Sequence, residues 1–100
     1  MIVEIQVLPS PAGTAENKYA HIESAIAAIQ ASGLTYEVGA LGTTIEGDPD
    51  EVWPLVRRVH EACLESGARG VISVVKFEQV ADPASAPTID SLTSKFRDRS

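Results

Sequence analysis

The first third of the chain changes from an alternating pattern to a helical one. Residues 2–8 alternate in a way that puts Val3, Ile5 and Val7 on one face, which is typical of a half-buried β-strand. Proline and glycine in residues 9–14 predict a loop. In residues 15–32 the apolar side chains recur at spacings of three and four, so this segment is predicted to be an amphipathic helix.

A second unit with the same order follows. Two short strands are predicted at residues 35–38 and 43–46, with a turn between them at residues 39–42. An apolar stripe with helical period predicts a second helix over residues 49–66, and the last strand is predicted at residues 71–78. Each predicted helix ends at a serine that is followed by a glycine, at residues 32–33 and 66–67, which makes an internal repeat.

Two such units predict an α+β domain of the ferredoxin-like βαββαβ type. Four antiparallel strands would form one sheet, and both helices would cover one of its faces. Residues 1–80 are predicted to be this ligand-binding domain, and residues 81–100 a linker and a short C-terminal helix. Ile89, Leu92 and Phe96 share one face of that short helix, so we expect it to dock on a partner subunit.

The junction between the third strand and the second helix gathers polar residues. Asp48 as N-cap and Glu51 three residues later predict a capping box at the helix start. Helix initiation does not require Thr43 and Glu46, which lie where a strand and a helix N-terminus meet. Such junctions often bind small molecules, so these two residues are candidates for a ligand site.

Period two also puts two small hydroxyl groups on the face that the helices cover. Thr43 shares that face with Ile45, and Ser73 shares it with its apolar neighbours in the last strand. One interpretation is that both hydroxyls bond to the backbone, and the other is a polar recess between sheet and helices. Tyr36 would then be either an aromatic wall of the recess or an ordinary core tyrosine.

Charge and chemistry restrict the function further. The chain of 100 residues carries a net charge of −6, which argues against nucleic acid and anionic membranes as partners. A single cysteine, Cys63, excludes an internal disulfide, and the two histidines have no metal-binding spacing. His60 is predicted at the boundary of the apolar stripe and His21 in solvent. No nucleophile motif, signal peptide or membrane span is present, so a non-catalytic cytoplasmic protein is expected.

Several segments resemble the small thiamine-binding proteins with a ferredoxin-like fold. The most specific of them is Gly-Thr-Thr-Ile-Glu-Gly-Asp at residues 42–48, with Tyr36 before it and His60-Glu61 after it. The resemblance extends over most of residues 1–80. It implies non-catalytic binding of thiamine or its hydroxymethylpyrimidine moiety, with no other cofactor, by a homodimer or homotetramer. The chain departs from the family after the last strand, where residues 78–82 contain no arginine.

The resemblance and the residue pattern together predict one ligand site without catalytic or metal-binding residues. The Glu46 carboxylate would accept a hydrogen bond from an aminopyrimidine, the hydroxyls would bind ring nitrogens, and the tyrosine would stack on the ring. An alternative function is a regulatory or assembly module that oligomerises through its sheet without a small ligand. The predicted ligand-binding residues are Gln6, Tyr36, Thr43, Glu46, Ser73 and Lys76.

Overall fold

The computed structural model describes residues 1–97. Its regular elements are β1 (Ile2–Ser10), α1 (Ala20–Ala31), β2 (Thr35–Val38), β3 (Thr43–Glu46), α2 (Pro49–Glu65), β4 (Gly70–Glu78) and α3 (Ile89–Thr93). Short 3-10 turns at Pro83–Ser85 and Ser94–Phe96 precede and follow α3.

The four strands form one antiparallel sheet in the order β2-β3-β1-β4. Helices α1 and α2 pack on each other and cover one face, so the predicted α+β, ferredoxin-like fold is confirmed. Within residues 1–97, none of the helices combines the length and hydropathy that a bilayer crossing requires.

The core lies between the sheet and the two helices. It uses alternate residues of β1 and β3 and the predicted apolar stripe of α2, as period two and period 3.6 require. The largest side chains that are fully buried are Val3, Ile29, Ile45, Val52, Leu55, Val59 and Cys63.

Helix α1 begins at Ala20, five residues later than the sequence pattern predicts. Asn17 accounts for the difference, because its side chain accepts a hydrogen bond from the Tyr19 amide and its carbonyl accepts from Thr14 and Ala20. Asparagine competes in this way with helical hydrogen bonds. The loop also packs tightly, since a Cβ on Gly13 would lie 2.3 Å from the Asn17 carbonyl oxygen.

Strand β1 continues through Pro9 to Ser10, where the sequence predicts a loop. Both residues pair with the start of β4, opposite Val71 and Gly70. The pairing of β1 with β3 stops at Ile5, so one side of β1 has no partner strand beyond that point. A proline is tolerated in a strand at such an edge position.

The predicted capping box at the start of α2 is absent. Asp48 is the N-cap, but its side chain makes no capping hydrogen bond, and its carbonyl oxygen accepts from the Glu51 and Val52 amides instead. A proline at the first position and two acids in the first turn also favour this start. The helix continues past Pro54 to Glu65.

The C-terminal segment packs against its own sheet. Helix α3 has a capping box made by Thr88 and Ser91, and Ile89 is 6% exposed. The Glu46 carboxylate accepts a hydrogen bond of 2.6 Å from the Ile89 amide. Leu92 and Phe96 are exposed in the single chain, so docking on a partner subunit stays a prediction for this part of the segment.

Candidate functional site

A cavity of about 170 Å³ lies under α1, at the end of the sheet where β2 turns into β3. Its walls come from β1, the first three turns of α1, the β2–β3 hairpin and one residue of α2. The lining residues are Ile5, Gln6, Val7, Leu8, Ile22, Ala25, Ile26, Ile29, Gly39, Ala40, Leu41, Gly42, Thr43 and Val59.

The space exists because small residues stand where larger ones would fill the core. Ala25 is 1% exposed and points from α1 toward the sheet, where a leucine would occupy part of the cavity. The hairpin adds backbone rather than side chains at Gly39 and Gly42. A cavity with an apolar lining forfeits dispersion contacts on one side, so it costs stability unless a ligand occupies it.

Thr43 supplies the distinctive polar group of this cavity. It is 5% exposed, and it faces the helices beside Ile5, its partner in the sheet register. The Thr43 hydroxyl makes no hydrogen bond with any group of residues 1–97 and borders the cavity. The Thr43 hydroxyl is therefore free to bond a donor or an acceptor of a ligand that enters the cavity.

The hairpin at the mouth of the cavity is tightly turned. The Gly39 amide donates a 2.8 Å hydrogen bond to the Gly42 carbonyl, and only Ala40 and Leu41 lie between them. A Cβ on Gly39 would approach the Gly42 oxygen to 2.9 Å, and a Cβ on Gly42 would lie 3.2 Å from the Ile5 carbonyl oxygen. Glycine is therefore needed at position 39 for close backbone approach, whereas a side chain at position 42 would require the Ile5 carbonyl to move by a few tenths of an ångström.

Of the six predicted site residues, the structure brings only Gln6 and Thr43 to this cavity. Gln6 contributes to the wall from β1, but its pairing with Val74 places its side chain on the sheet face away from the helices. Tyr36 lies opposite Ile45 on the helix side of edge strand β2, is 37% exposed and does not line the cavity.

Ser73 lies on the helix-covered face, as period two predicts, but in a different contact. Its hydroxyl is 2.5 Å from Nδ1 of His60 on α2, in a partly buried pair. In the register Ser73 lies opposite Val7, and the cavity lies against that residue. The Ser73 hydroxyl is thus already bonded within the protein.

Glu46 and Lys76 do not line this cavity either. Glu46 is at the opposite end of β3 from the cavity and binds the start of α3. The Lys76 ammonium pairs at 3.0 Å with the Glu4 carboxylate on the open face, where both side chains are largely solvated. Glu46 forms no ion pair with Lys76 or Arg69.

The predicted position of His21 in solvent is wrong. His21 is 4% exposed, and its Nδ1 lies 2.6 Å from the Ser66 hydroxyl. That hydroxyl donates to the Cys63 carbonyl, so it accepts from the Nδ1–H of the histidine. Gly67, with a φ of +122°, packs against the ring. This contact joins the start of α1 to the end of α2 and explains the burial.

The sides of the cavity formed by helix α1 and the hairpin were not predicted from the sequence. Ile22 and Ile26 are indistinguishable from core positions in the sequence, because their spacing fits an amphipathic helix. Two signals remain in the sequence: the hydroxyl of Thr43 at an apolar position, and the two glycines of the Gly39–Gly42 turn. Within residues 1–97, no group of three or more potential metal ligands converges.

Similar proteins are known for almost the whole chain. A UPF0045 protein of Clostridium perfringens is 34% identical over 95 residues, which covers 95% of both chains. The solved structure of a DUF77 domain of unknown function from Bacillus cereus matches with a TM-score of 0.79 and 35% identity, covering 97% of this chain and 91% of that one.

A third similar protein, from Thermotoga maritima, is provisionally described as a thiamine biosynthesis/salvage protein. Its structure matches with a TM-score of 0.70 and 26% identity, covering 97% of this chain and all of that one. The family model for thiamine-binding protein matches residues 3–95. The chain therefore belongs to the thiamine-binding protein family.

Proposed function

We propose that the protein binds the hydroxymethylpyrimidine moiety of thiamine in the cavity under α1, without catalysing a reaction. The observation that carries the proposal is the Thr43 hydroxyl: it belongs to a buried residue, has no hydrogen-bond partner within residues 1–97 and borders an otherwise largely apolar space. Membership of the thiamine-binding family supports the ligand class.

The volume of the cavity suits one six-membered ring. A cavity of about 150 Å³ is known to accept benzene, and this one measures about 170 Å³. Thiamine has two linked rings, so its second ring would extend through the mouth toward the hairpin. Free hydroxymethylpyrimidine would fit more completely than thiamine does.

The chemistry of the lining also favours the pyrimidine ring over the thiazolium ring. Burying an unpaired cation among apolar side chains is costly, so the positively charged thiazolium ring of thiamine would stay in water. The neutral pyrimidine ring can enter, with Thr43 bonding a ring nitrogen or the hydroxymethyl group. Apart from Gln6 and Thr43, the side chains that line the cavity are apolar or absent. With no acid, base or activated nucleophile among these lining residues, binding is favoured over catalysis.

Calorimetry with hydroxymethylpyrimidine and thiamine tests this function. Replacing Thr43→Val keeps the shape and removes the hydroxyl, so we expect pyrimidine affinity to fall about tenfold, since a hydrogen bond contributes about 1 kcal/mol and an unpaired ligand group costs more. Thr44→Val is the matched control, because Thr44 is the next residue on the opposite face of the same strand. Equal loss in both variants, or no binding by the wild type, would contradict the proposal.

A second candidate function, assembly, has its own observation. The open face of the sheet carries Leu8, Ile72 and Val74, which are 47%, 66% and 50% exposed. Exposed apolar patches of this kind mark interaction surfaces, and a homodimer or homotetramer would cover them. Light scattering that shows only a 10.6 kDa monomer at micromolar concentration would exclude this candidate.

The net charge of −6 still argues against nucleic acid or membrane partners, and a cytoplasmic location remains our expectation.

A further inference from the structure

Leu41 is an apolar side chain in an unusual position. It stands in the hairpin between β2 and β3, borders the cavity and is 81% exposed, which is the largest exposed fraction among the large apolar side chains of residues 1–97. An isolated exposed leucine needs no explanation by itself. Leu41, however, lies at the mouth of an apolar cavity that also contains an unpaired hydroxyl. Its side chain is therefore placed to cover the apolar lining of that cavity.

Residues 39–41 of the hairpin are also the most exposed stretch of the cavity wall. All four residues of β2 are exposed, and β2 is an edge strand that pairs only with β3. The two residues of the turn lie between Gly39 and Gly42, which hold the turn by one backbone hydrogen bond and have no side chains that pack on the core. The other walls belong to β1 and α1, which are fixed by the core. Motion at the mouth is therefore expected in the hairpin.

We propose that residues 39–42 are the lid of the cavity and that Leu41 covers the ring bound there. Moving this side chain from water onto an apolar ring removes apolar surface of both from solvent, which favours the closed state only when a ring is present. The inference rests on the proposed function for the identity of the ligand. It adds a ligand-contacting residue outside the six that the sequence predicts.

Two ring probes separate this inference from the proposed function. Hydroxymethylpyrimidine requires the volume and the Thr43 hydroxyl, whereas benzene requires only the volume and the apolar lining. We expect Leu41→Ala to weaken both probes about tenfold, because truncation removes most of the apolar surface that covers the ring. Thr43→Val should weaken only the pyrimidine. Leu92→Ala is the control, since Leu92 is an exposed leucine on α3, away from the cavity.

Each outcome decides between the two ideas. A ring that binds Leu41→Ala and the wild type equally would overturn the lid and leave the proposed function intact. If the wild type binds benzene but not hydroxymethylpyrimidine, the pyrimidine function is refuted. The lid is then tested by comparing the benzene affinities of Leu41→Ala and the wild type. If neither probe binds the wild type, both proposals are wrong.

A labelling experiment tests the closing motion directly. In Leu41→Cys the new thiol is exposed, and a saturating ring probe should slow its reaction with a maleimide at least about tenfold if the lid closes. The native Cys63 gives little background, because it is fully buried and burial raises the pKa of its thiol. The same probe should leave labelling of Leu92→Cys unchanged. An unchanged rate at position 41 with bound probe would overturn the lid.

Discussion

The two ends of strand β3 have opposite roles, although the sequence presents them as one site. Thr43 at the first end faces the helices, is buried and has no hydrogen-bond partner in the described part of the chain. Glu46 at the last end faces the other side of the sheet and holds the Ile89 amide. They lie three positions apart in the strand, which is about 10 Å, and an odd separation puts their side chains on opposite faces of the sheet.

This difference shows which polar group is available to a ligand. The Glu46 carboxylate already accepts a charge-assisted hydrogen bond through Oε1, so a ligand at that oxygen would share it with the Ile89 amide of α3. The Thr43 hydroxyl has no protein contact to lose. A polar side chain near a cavity is therefore a better site candidate when its own hydrogen bonds are still unmade.

The largest expected effect comes from filling the cavity beside Thr43. Ala25→Leu adds apolar volume to the space of about 170 Å³, so pyrimidine binding should fall at least about a hundredfold while the fold is kept. Ala27→Leu adds the same atoms on the exposed side of α1 and should bind normally. Calorimetry and thermal unfolding of both variants give the measurement. Retained binding in a folded Ala25→Leu protein would place the ligand elsewhere.

A smaller effect is expected at the other end of the strand. Glu46→Gln keeps an acceptor for the Ile89 amide but removes its charge, which should cost about 1 kcal/mol of α3 docking. Limited proteolysis in residues 79–88 should then become about fivefold faster, the population ratio that corresponds to this free energy. Pyrimidine affinity should stay within about twofold of the wild type.

Glu37→Gln is the matched control for that experiment, because Glu37 is an exposed acid whose contact with Arg97 is long, at 3.5 Å. It should change proteolysis little. A tenfold or greater loss of pyrimidine affinity in Glu46→Gln, with unchanged proteolysis, would restore the ligand role that the sequence assigns to Glu46. In that case the contrast between the two ends of β3 would disappear.

The smallest effect is expected at Lys76. Both side chains of its ion pair with Glu4 are exposed to solvent, so Lys76→Met should change the free energy of unfolding by less than about 1 kcal/mol. Because the pair lies on the open face, pyrimidine affinity should not change. Urea unfolding and calorimetry measure both quantities, with Lys95→Met as a second exposed lysine for comparison. A clear loss of pyrimidine affinity in Lys76→Met, but not in Lys95→Met, would show that the open face contributes to the ligand site.

The fold was predictable because it depends on repeating local patterns. Val3 and Ile5 follow period two, Val52 and Leu55 follow period 3.6, and both sets are buried where these periods require. The errors occur where one side chain changes a local boundary. Asn17 delays the start of α1, and the lack of a partner strand lets β1 continue beyond the predicted end.

The candidate site was predictable only in part. The sequence identifies Thr43 because a hydroxyl interrupts an apolar face, and this signal is local. It cannot show that Ser73 finds His60 or that Glu46 finds the Ile89 amide, because these partners are 13 and 43 residues away in the chain. A hydrogen bond between distant residues depends on how the elements pack, and that information is absent from a local pattern.

The amino-acid sequence by itself thus determined the order of the elements, the faces they bury and the family to which the chain belongs. Only the tertiary structure decided which polar side chains remain available. Periodicity fixes the direction in which a side chain points, since backbone geometry repeats along the chain. Whether that side chain meets a partner, a cavity or water depends on the packing of elements that are remote in sequence, as Thr43 and Glu46 show within one strand of four residues.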